Sequence, residues 1–231
     1  VNALSRDAMA ELDRLLVEEY GITVPRMMEL AGLFSAELAL KYMKGKRMLA
    51  LVGPGHNGGD ALSAVRHSCN KGVDAEALLA LPPHKLVPES RAQYDILMKM
   101  RVPLSVFDPS SPPNWKAFGL LVDGLFGYNL KGSPRPPFSE LIDQANASEI
   151  PILSIDLPSG LDADSGLPAK PCIRARATIA LSGLKTGLLA PSAAPFVGDL
   201  YVSYMTVPLR AYARAGLKPP DFSKENVIRI R

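Results

Sequence analysis

Met48-Leu49-Ala50-Leu51-Val52-Gly53-Pro54-Gly55-His56-Asn57-Gly58-Gly59-Asp60 is the stretch that decides the fold. An unbroken apolar run closed by glycine is the pattern of a strand buried on both faces. Gly53, Gly55 and Gly58 have the spacing of a dinucleotide-binding turn, and the helical pattern from Gly58 to Asn70 offers an N-terminus to a phosphate. Further apolar runs follow at 75–81, 102–107, 119–123, 151–156, 177–181 and 199–205, with a helical pattern at 87–100. Short buried strands alternating with helices predict an α/β fold with a parallel sheet covered on both sides.

Upstream, residues 5–20 read as an amphipathic helix capped by Ser5, with Met9, Leu12, Leu16 and Tyr20 on one face and Gly21 as its stop. A second helix is expected from about Pro25 to Lys44, carrying Met27, Leu30, Ala31, Phe34, Leu38 and Tyr42 inward. At that spacing these side chains are read as core and given no cofactor role. Proline clusters at 82–83, 109–113, 134–137, 191–195 and 219–220 fall between the runs, as loops. None makes an interdomain linker, so residues 1–231 read as one domain.

Composition removes several function classes. The 231 residues are 47% apolar and 21% charged, too apolar for intrinsic disorder. With 26 basic and 23 acidic residues the net charge is +3, which leaves no electrostatic footprint for nucleic acid or an anionic membrane. The longest uncharged run, Thr186 to Gly198, contains two prolines and is too short for a transmembrane helix. Cys69 and Cys172 are read as reduced structural thiols. Val1 to Ser5 shows no signal peptide, and the expected compartment is the cytoplasm, or an organelle after presequence removal.

In an open parallel sheet, ligands sit in loops leaving the C-terminal strand ends. Three such loops carry polar groups. In the first, Gly53 to Asp60, the ribose-binding acid expected about 20 residues on is missing; Leu81-Pro82-Pro83 stands there, and Asp74 lies at the wrong end of its strand. Asn57 and Asp60 therefore suggest an ion or anion site rather than an ordinary dinucleotide site. The second loop, Val122 to Gly132, begins with Asp123 at the end of an apolar strand, where a carboxylate needs a partner or an ion. In the third, Ile152 to Gly166, a strand delivers Asp156 before a Pro-Ser-Gly turn. No nucleophile elbow is present, and Asp162-x-Asp164 lacks the glycine and terminal glutamate of a calcium loop. Of the histidines only His56 falls in a candidate loop; His67 and His84 are read as packing or surface residues. Lys185 follows a strand and could meet a phosphate, but a lone lysine there is read as solvated.

Four elements in order resemble the YjeF N-terminal domain family of NAD(P)HX epimerases. They are Gly53-Pro54-Gly55-His56-Asn57-Gly58-Gly59-Asp60, Asp123-Gly124-Leu125-Phe126-Gly127, Asp156-Leu157-Pro158-Ser159-Gly160-Leu161-Asp162 and Lys185-Thr186-Gly187-Leu188. Met28-Glu29-Leu30-Ala31-Gly32 is similar to the family's N-terminal motif, and the likeness covers essentially the whole chain. The resemblance implies a three-layer α/β/α sandwich with a Rossmann-like, mostly parallel sheet and an N-terminal helical extension. It implies a potassium ion held by Asn57, Asp123 and Ser159, all oxygen donors suited to a hard cation. It implies substrate contacts from His56, Asn57, Gly58, Gly59 and Asp60, from Gly127, Tyr128, Asn129, Leu130, Lys131, Gly132 and Ser133, and from Asp156.

The reaction so implied inverts C6 of hydrated NADH or NADPH, with Asp156 as the catalytic proton shuttle. A separate dehydratase would act on the S-epimer, and a homodimer is expected. The sequence departs from the family at His56, Leu30, Ala61, Ser133 and Arg174-Ala175-Arg176. One branch of the family keeps the fold as an RNA-decapping scaffold without the polar site residues, which this sequence retains. Two other readings compete with the enzyme: a non-catalytic YjeF-type nucleotide- or protein-binding module, and a conventional NAD- or flavin-dependent oxidoreductase, which the missing ribose acid disfavours.

Overall fold

The computed structural model describes residues 3–45 and 47–231. Val1 and Asn2, part of the stretch read for a signal peptide, lie outside the described residues. In chain order the elements are β1 (Ala3–Leu4), α1 (Arg6–Glu18), α2 (Val24–Tyr42), β2 (Arg47–Val52), α3 (His56–Asn70), β3 (Asp74–Leu79), α4 (Pro88–Lys99), β4 (Leu104–Val106) and β5 (Leu120–Gly124). There follow α5 (Phe138–Ala147), β6 (Ile152–Ile155), β7 (Ala177–Leu181), β8 (Leu184–Lys185), α6 (Ala194–Val197), β9 (Asp199–Ser203), α7 (Leu209–Arg214) and β10 (Val227–Arg229).

Strand alternation explains why β2 reads as continuously apolar. Met48, Ala50 and Val52 join one core with Leu12 and Leu16 of α1, Phe34 and Leu38 of α2, and Leu62 and Val65 of α3. Leu49 and Leu51 point the other way, onto Leu141, Ile142 and Ala145 of α5. With both faces covered, no position from Met48 to Val52 is left for a polar residue. The layers are unequal. α1 to α4 and α7 pack on one face, whereas the other carries α5, α6 and the loop that supplies Leu157, Leu161 and Cys172.

The main sheet runs β10-β9-β7-β6-β5-β2-β3-β4. All neighbours are parallel except β10, which pairs antiparallel with β9. From β2 the chain moves outward through β3 to β4, then returns to place β5 on the other side of β2. The strand order reverses there, and a crevice opens at the C-terminal ends of β2 and β5. A second, two-stranded sheet pairs β1 with β8, Ala3 opposite Leu184 and Leu4 opposite Lys185.

Some boundaries differ from the sequence reading. α3 begins at His56, two residues before the expected Gly58, because Gly55 adopts extended backbone and serves as its N-cap. Ser5 caps α1 as expected, accepting from the Ala8 amide at 3.2 Å. α5 was not anticipated; its Phe138, Leu141, Ile142 and Ala145 do have helical spacing, but the prolines at 134–137 mark the segment as loop. Part of the Thr186–Gly198 run forms short helical turns and α6, and no helix among the described residues is long and apolar enough to cross a membrane.

Candidate functional site

The crevice is built by loops that pass one another at closest approach. A methyl group on Gly53 would run into the Leu125 carbonyl, and one on Gly58 into the Gly53 carbonyl. Glycine is required at both places by backbone, not by a ligand. Gly59 packs against Met28 and Ser90. The close fit lets α3 start beside the end of β5, with Asn57 in its first turn and Asp60 one turn on along the same face.

Asn57 donates from Nδ2 to the carbonyls of Phe126 (2.8 Å) and Ile155 (3.2 Å), while its Oδ1 is buried with no partner. Asp123 is fully buried in β5 and accepts four bonds. Oδ1 takes the Ser159 hydroxyl (2.6 Å) and the Leu125 amide (3.2 Å); Oδ2 takes the Ser154 hydroxyl (2.8 Å) and the Ser159 amide (2.9 Å). Burial pushes this carboxyl above its ordinary pKa, and the four donors oppose the shift. The Ser159 hydroxyl also accepts from the Phe126 amide at 2.9 Å. Asn57, Asp123 and Ser159 are thus gathered around the backbone of Phe126.

Asp156 follows β6 in the left-handed region, at φ 72°, a conformation that costs a residue with a Cβ some strain. Its amide still donates to Ile179 at 2.8 Å, which fixes the turn. The carboxylate faces the ammonium of Lys185, with which it forms an ion pair. Lys185 is fully buried and donates also to the carbonyls of Leu181 (3.0 Å) and Gly183 (3.4 Å). The expectation of a solvated lysine is therefore corrected: β8 carries Lys185 inward through its pairing with β1, a long-range contact that spacing does not reveal.

These groups open onto a cavity of about 790 Å³. Of the residues expected to contact a substrate, His56, Asn57, Asp60, Gly127, Tyr128, Asn129, Leu130, Lys131 and Asp156 line it. Gly58 and Gly59 are buried in loop packing, and Gly132 and Ser133 are exposed beyond the lining. Ala61 turns away, its methyl against Gly124. Met9 and Met27, read from sequence as core, form part of the apolar wall together with Met28.

Among the lining residues that the sequence reading does not single out, Asp13 makes a specific polar contact. Asp13 of α1 accepts the Tyr128 hydroxyl at 2.7 Å. Its position on the polar edge of an amphipathic helix looks like solvated surface in sequence. Burial raises its pKa, while the Tyr128 bond and Lys185 pull the other way. Burial also pushes Asp60 well above the ordinary carboxyl value, reinforced by the charges of Asp156 and Asp13. Three carboxyl groups thus line one cavity with a single buried ammonium, which pairs with Asp156. Such a site can hold a proton on a carboxyl and favours a positive charge developing in its ligand.

Other sequence candidates lie elsewhere. His67 faces Glu29 at 3.5 Å and His84 is exposed. Asp162 holds its own turn, accepting from the Asp164 and Ser165 amides, and pairs with Arg6 at 2.9 Å. Cys69 and Cys172 are both free thiols. Among the described residues no group of three or more His, Cys, Asp or Glu side chains could hold a metal.

Residues 24–187 match the family model described as YjeF-related protein N-terminus. Among curated proteins, the chain is 37% identical to the NAD(P)H-hydrate epimerase of Dehalogenimonas lykanthroporepellens, over 94% of this chain and 87% of that protein. It is 31% identical to the enzyme of the same name from Plasmodium vivax, over 98% and 77%. A bifunctional NAD(P)H-hydrate repair enzyme from Hyperthermus butylicus is 35% identical over 74% of this chain, a match that takes up 33% of the longer relative. The crystal structure of yeast YNL200c superposes over the full length of both chains with a TM-score of 0.86 at 24% identity, a likeness of fold.

Proposed function

Because the chain belongs to the YjeF-related N-terminal family, we propose that it is an NAD(P)H-hydrate epimerase, an isomerase interconverting the R and S forms of hydrated NADH and NADPH. The observation that carries this reading is the convergence of Asp60, Asp156 and Lys185 with the Asn57–Asp123–Ser159 oxygen cluster at one cavity, within a chain matched nearly end to end by relatives of that name. The cavity stands where the strand order reverses, the usual place for a nucleotide in such a sheet.

Inversion at C6 requires the C6–O bond to break and re-form on the other face. The departing hydroxyl takes a proton and leaves as water, while the ring-nitrogen lone pair forms the iminium. A water then adds to the opposite face and gives a proton back. Asp156 is the shuttle in this reading: as the acid it gives its proton to the departing hydroxyl, and as the carboxylate, with Lys185 as counter-charge, it takes one back from the incoming water. Asp60 and Asp13 add carboxyl oxygens to the cavity wall around the cationic ring. His56, Asn129 and Lys131 at the cavity wall supply polar and cationic contacts for the rest of a dinucleotide.

The oxygen cluster fits a potassium ion. The unpartnered, buried Oδ1 of Asn57 lies in a cluster with one buried carboxylate and the Ser159 hydroxyl, a donor set of oxygen alone. Asn57, Asp123 and Ser159 would hold the ion, which would supply a fixed positive charge that anchors the loops around Phe126. The reading also takes the chain as one domain working as a homodimer in the cytoplasm, with a separate dehydratase consuming the S-epimer.

The test is epimerisation of purified R-NADHX coupled to an S-specific dehydratase, in potassium and then in lithium. Potassium-dependent turnover, lost in Asp156→Asn, is expected. A folded protein without turnover would instead favour a non-catalytic binding module, and a near-normal rate in Asp156→Asn would remove the shuttle.

A further inference from the structure

Beyond the side chains that line the cavity, three contacts lead from Leu4, Arg6 and Asp13 into the site. Leu4 pairs with Lys185 across the small sheet. The guanidinium of Arg6 donates to the Leu130 carbonyl at 3.4 Å while paired with Asp162 at 2.9 Å. Asp13 Oδ2 accepts the Tyr128 hydroxyl at 2.7 Å. The ring of Tyr128 in turn lies 5.8 Å from the Lys185 ammonium, centroid to Nζ, within range of a cation–π contact. The ammonium is paired with Asp156. A continuous chain of contacts therefore runs from α1 through Tyr128 to the buried ion pair. All three contacts come from residues that precede the span 24–187 matched by the family model.

We propose that Asp13 is a positioning residue of this site: by fixing the Tyr128 hydroxyl it holds the ring over Lys185 and sets the loop 127–131 against the cavity, which makes α1 part of the catalytic unit. The inference rests on the epimerase reading and goes beyond it. Two features argue for positioning through Tyr128 rather than packing. A charged carboxylate is a costly choice for a half-buried helix position whose only need is filling. A tyrosine fixed only by stacking would need no partner at its hydroxyl, whereas here the hydroxyl has one acceptor and that acceptor is supplied by α1. The ring packs against the cluster around Leu157 and Leu184, and the Asp13 bond adds the acceptor that fixes its hydroxyl end.

The experiment uses the 231-residue chain and measures kcat/KM for R-NADHX in the wild type, Asp13→Ala, Asp13→Asn, Tyr128→Phe and the Asp13→Ala/Tyr128→Phe double variant. Glu11→Gln, on the exposed side of α1, is the control and should match the wild type. Asp13→Ala and Tyr128→Phe should each lower kcat/KM by about tenfold, and the double variant by no more than about twofold further. Asp13→Asn keeps an acceptor oxygen for the tyrosine and should recover to within about threefold of wild type. The proposal is overturned if Asp13→Ala is unchanged, if the double variant shows the product of the two losses, or if Asp13→Asn is as impaired as Asp13→Ala, the mark of a carboxyl that itself transfers protons. A failure to fold in Asp13→Ala leaves the Asn and Phe variants to decide. An inactive wild type sinks the epimerase reading and this inference together, whereas an active wild type with indifferent variants sinks only this one.

Discussion

Lys185 and Asp156 meet as an ion pair with the lysine wholly out of water and the aspartate 5% exposed. Two carbonyls, Leu181 and Gly183, complete the ammonium's bonding, and the Tyr212 hydroxyl ties down the intervening turn through the Ser182 carbonyl at 2.6 Å. Breaking one side of such a pair strands the other charge.

Lys185→Met should therefore lower unfolding free energy by about 3–5 kcal/mol. Lys185→Met/Asp156→Asn should regain part of that loss, since both charges are gone. Urea melts of the three proteins check this, and a single variant as stable as the wild type would show that the pair is not buried as described.

Gly58→Ala and Gly132→Ala separate close approach from backbone freedom. At Gly58 the new methyl meets the Gly53 carbonyl, which cannot move without shifting β2 and β5, so a cost of about 1–3 kcal/mol or more is expected. At Gly132, φ 76° with open space around it, the cost is the left-handed strain alone, about 1 kcal/mol. Thermal melts that reverse this order would refute the packing argument.

Asp60→Asn has a pH signature. Burial keeps the folded-state carboxyl protonated above the ordinary value of 3.8, at which the unfolded chain begins to lose its proton. The folded state thus binds more protons, and wild-type stability falls as pH rises from that value through the raised one. The variant lacks this loss, so its stability relative to the wild type should climb in denaturation series as pH rises above that ordinary value. Parallel curves would mean that Asp60 titrates normally.

Ser159→Ala removes two of the contacts that organise Asp123 and Phe126. A loss of about 1.5–3 kcal/mol follows from the weakened solvation of a buried carboxylate. If the oxygen cluster holds potassium, the wild type should also melt higher in potassium than in lithium and the variant should show little difference. A salt response equal in both proteins would place the ion elsewhere.

The sheet and its glycine turns were legible because short buried runs, helical spacing and turn residues are local properties. Asp123 and Asp156 stand out in the sequence because a carboxylate at the end of an apolar strand is locally anomalous, Asn57 because it flanks a glycine pair, and Ser159 only through the family resemblance. Lys185 reads wrongly as solvated and Asp13 does not stand out at all, and the reason is shared. Each is unremarkable in its own segment, and its role arises from a partner far along the chain, Leu4 for the strand that carries Lys185 and Tyr128 for Asp13. The left-handed turn at Asp156 was equally invisible, since nothing in the residue type announces it. α5 was lost to the prolines before it, although its apolar spacing was present.

The pairing of β1 with β8 has a consequence for synthesis. The strand at residues 3–4 leaves the ribosome early, yet its partner at 184–185 is made only after almost all of the parallel sheet. A nascent chain can assemble β2 to β6 while the floor of the cavity is still missing. Until β8 arrives, Asp156 has no counter-charge and the apolar wall is exposed, so truncated translation products should be sticky as well as inactive.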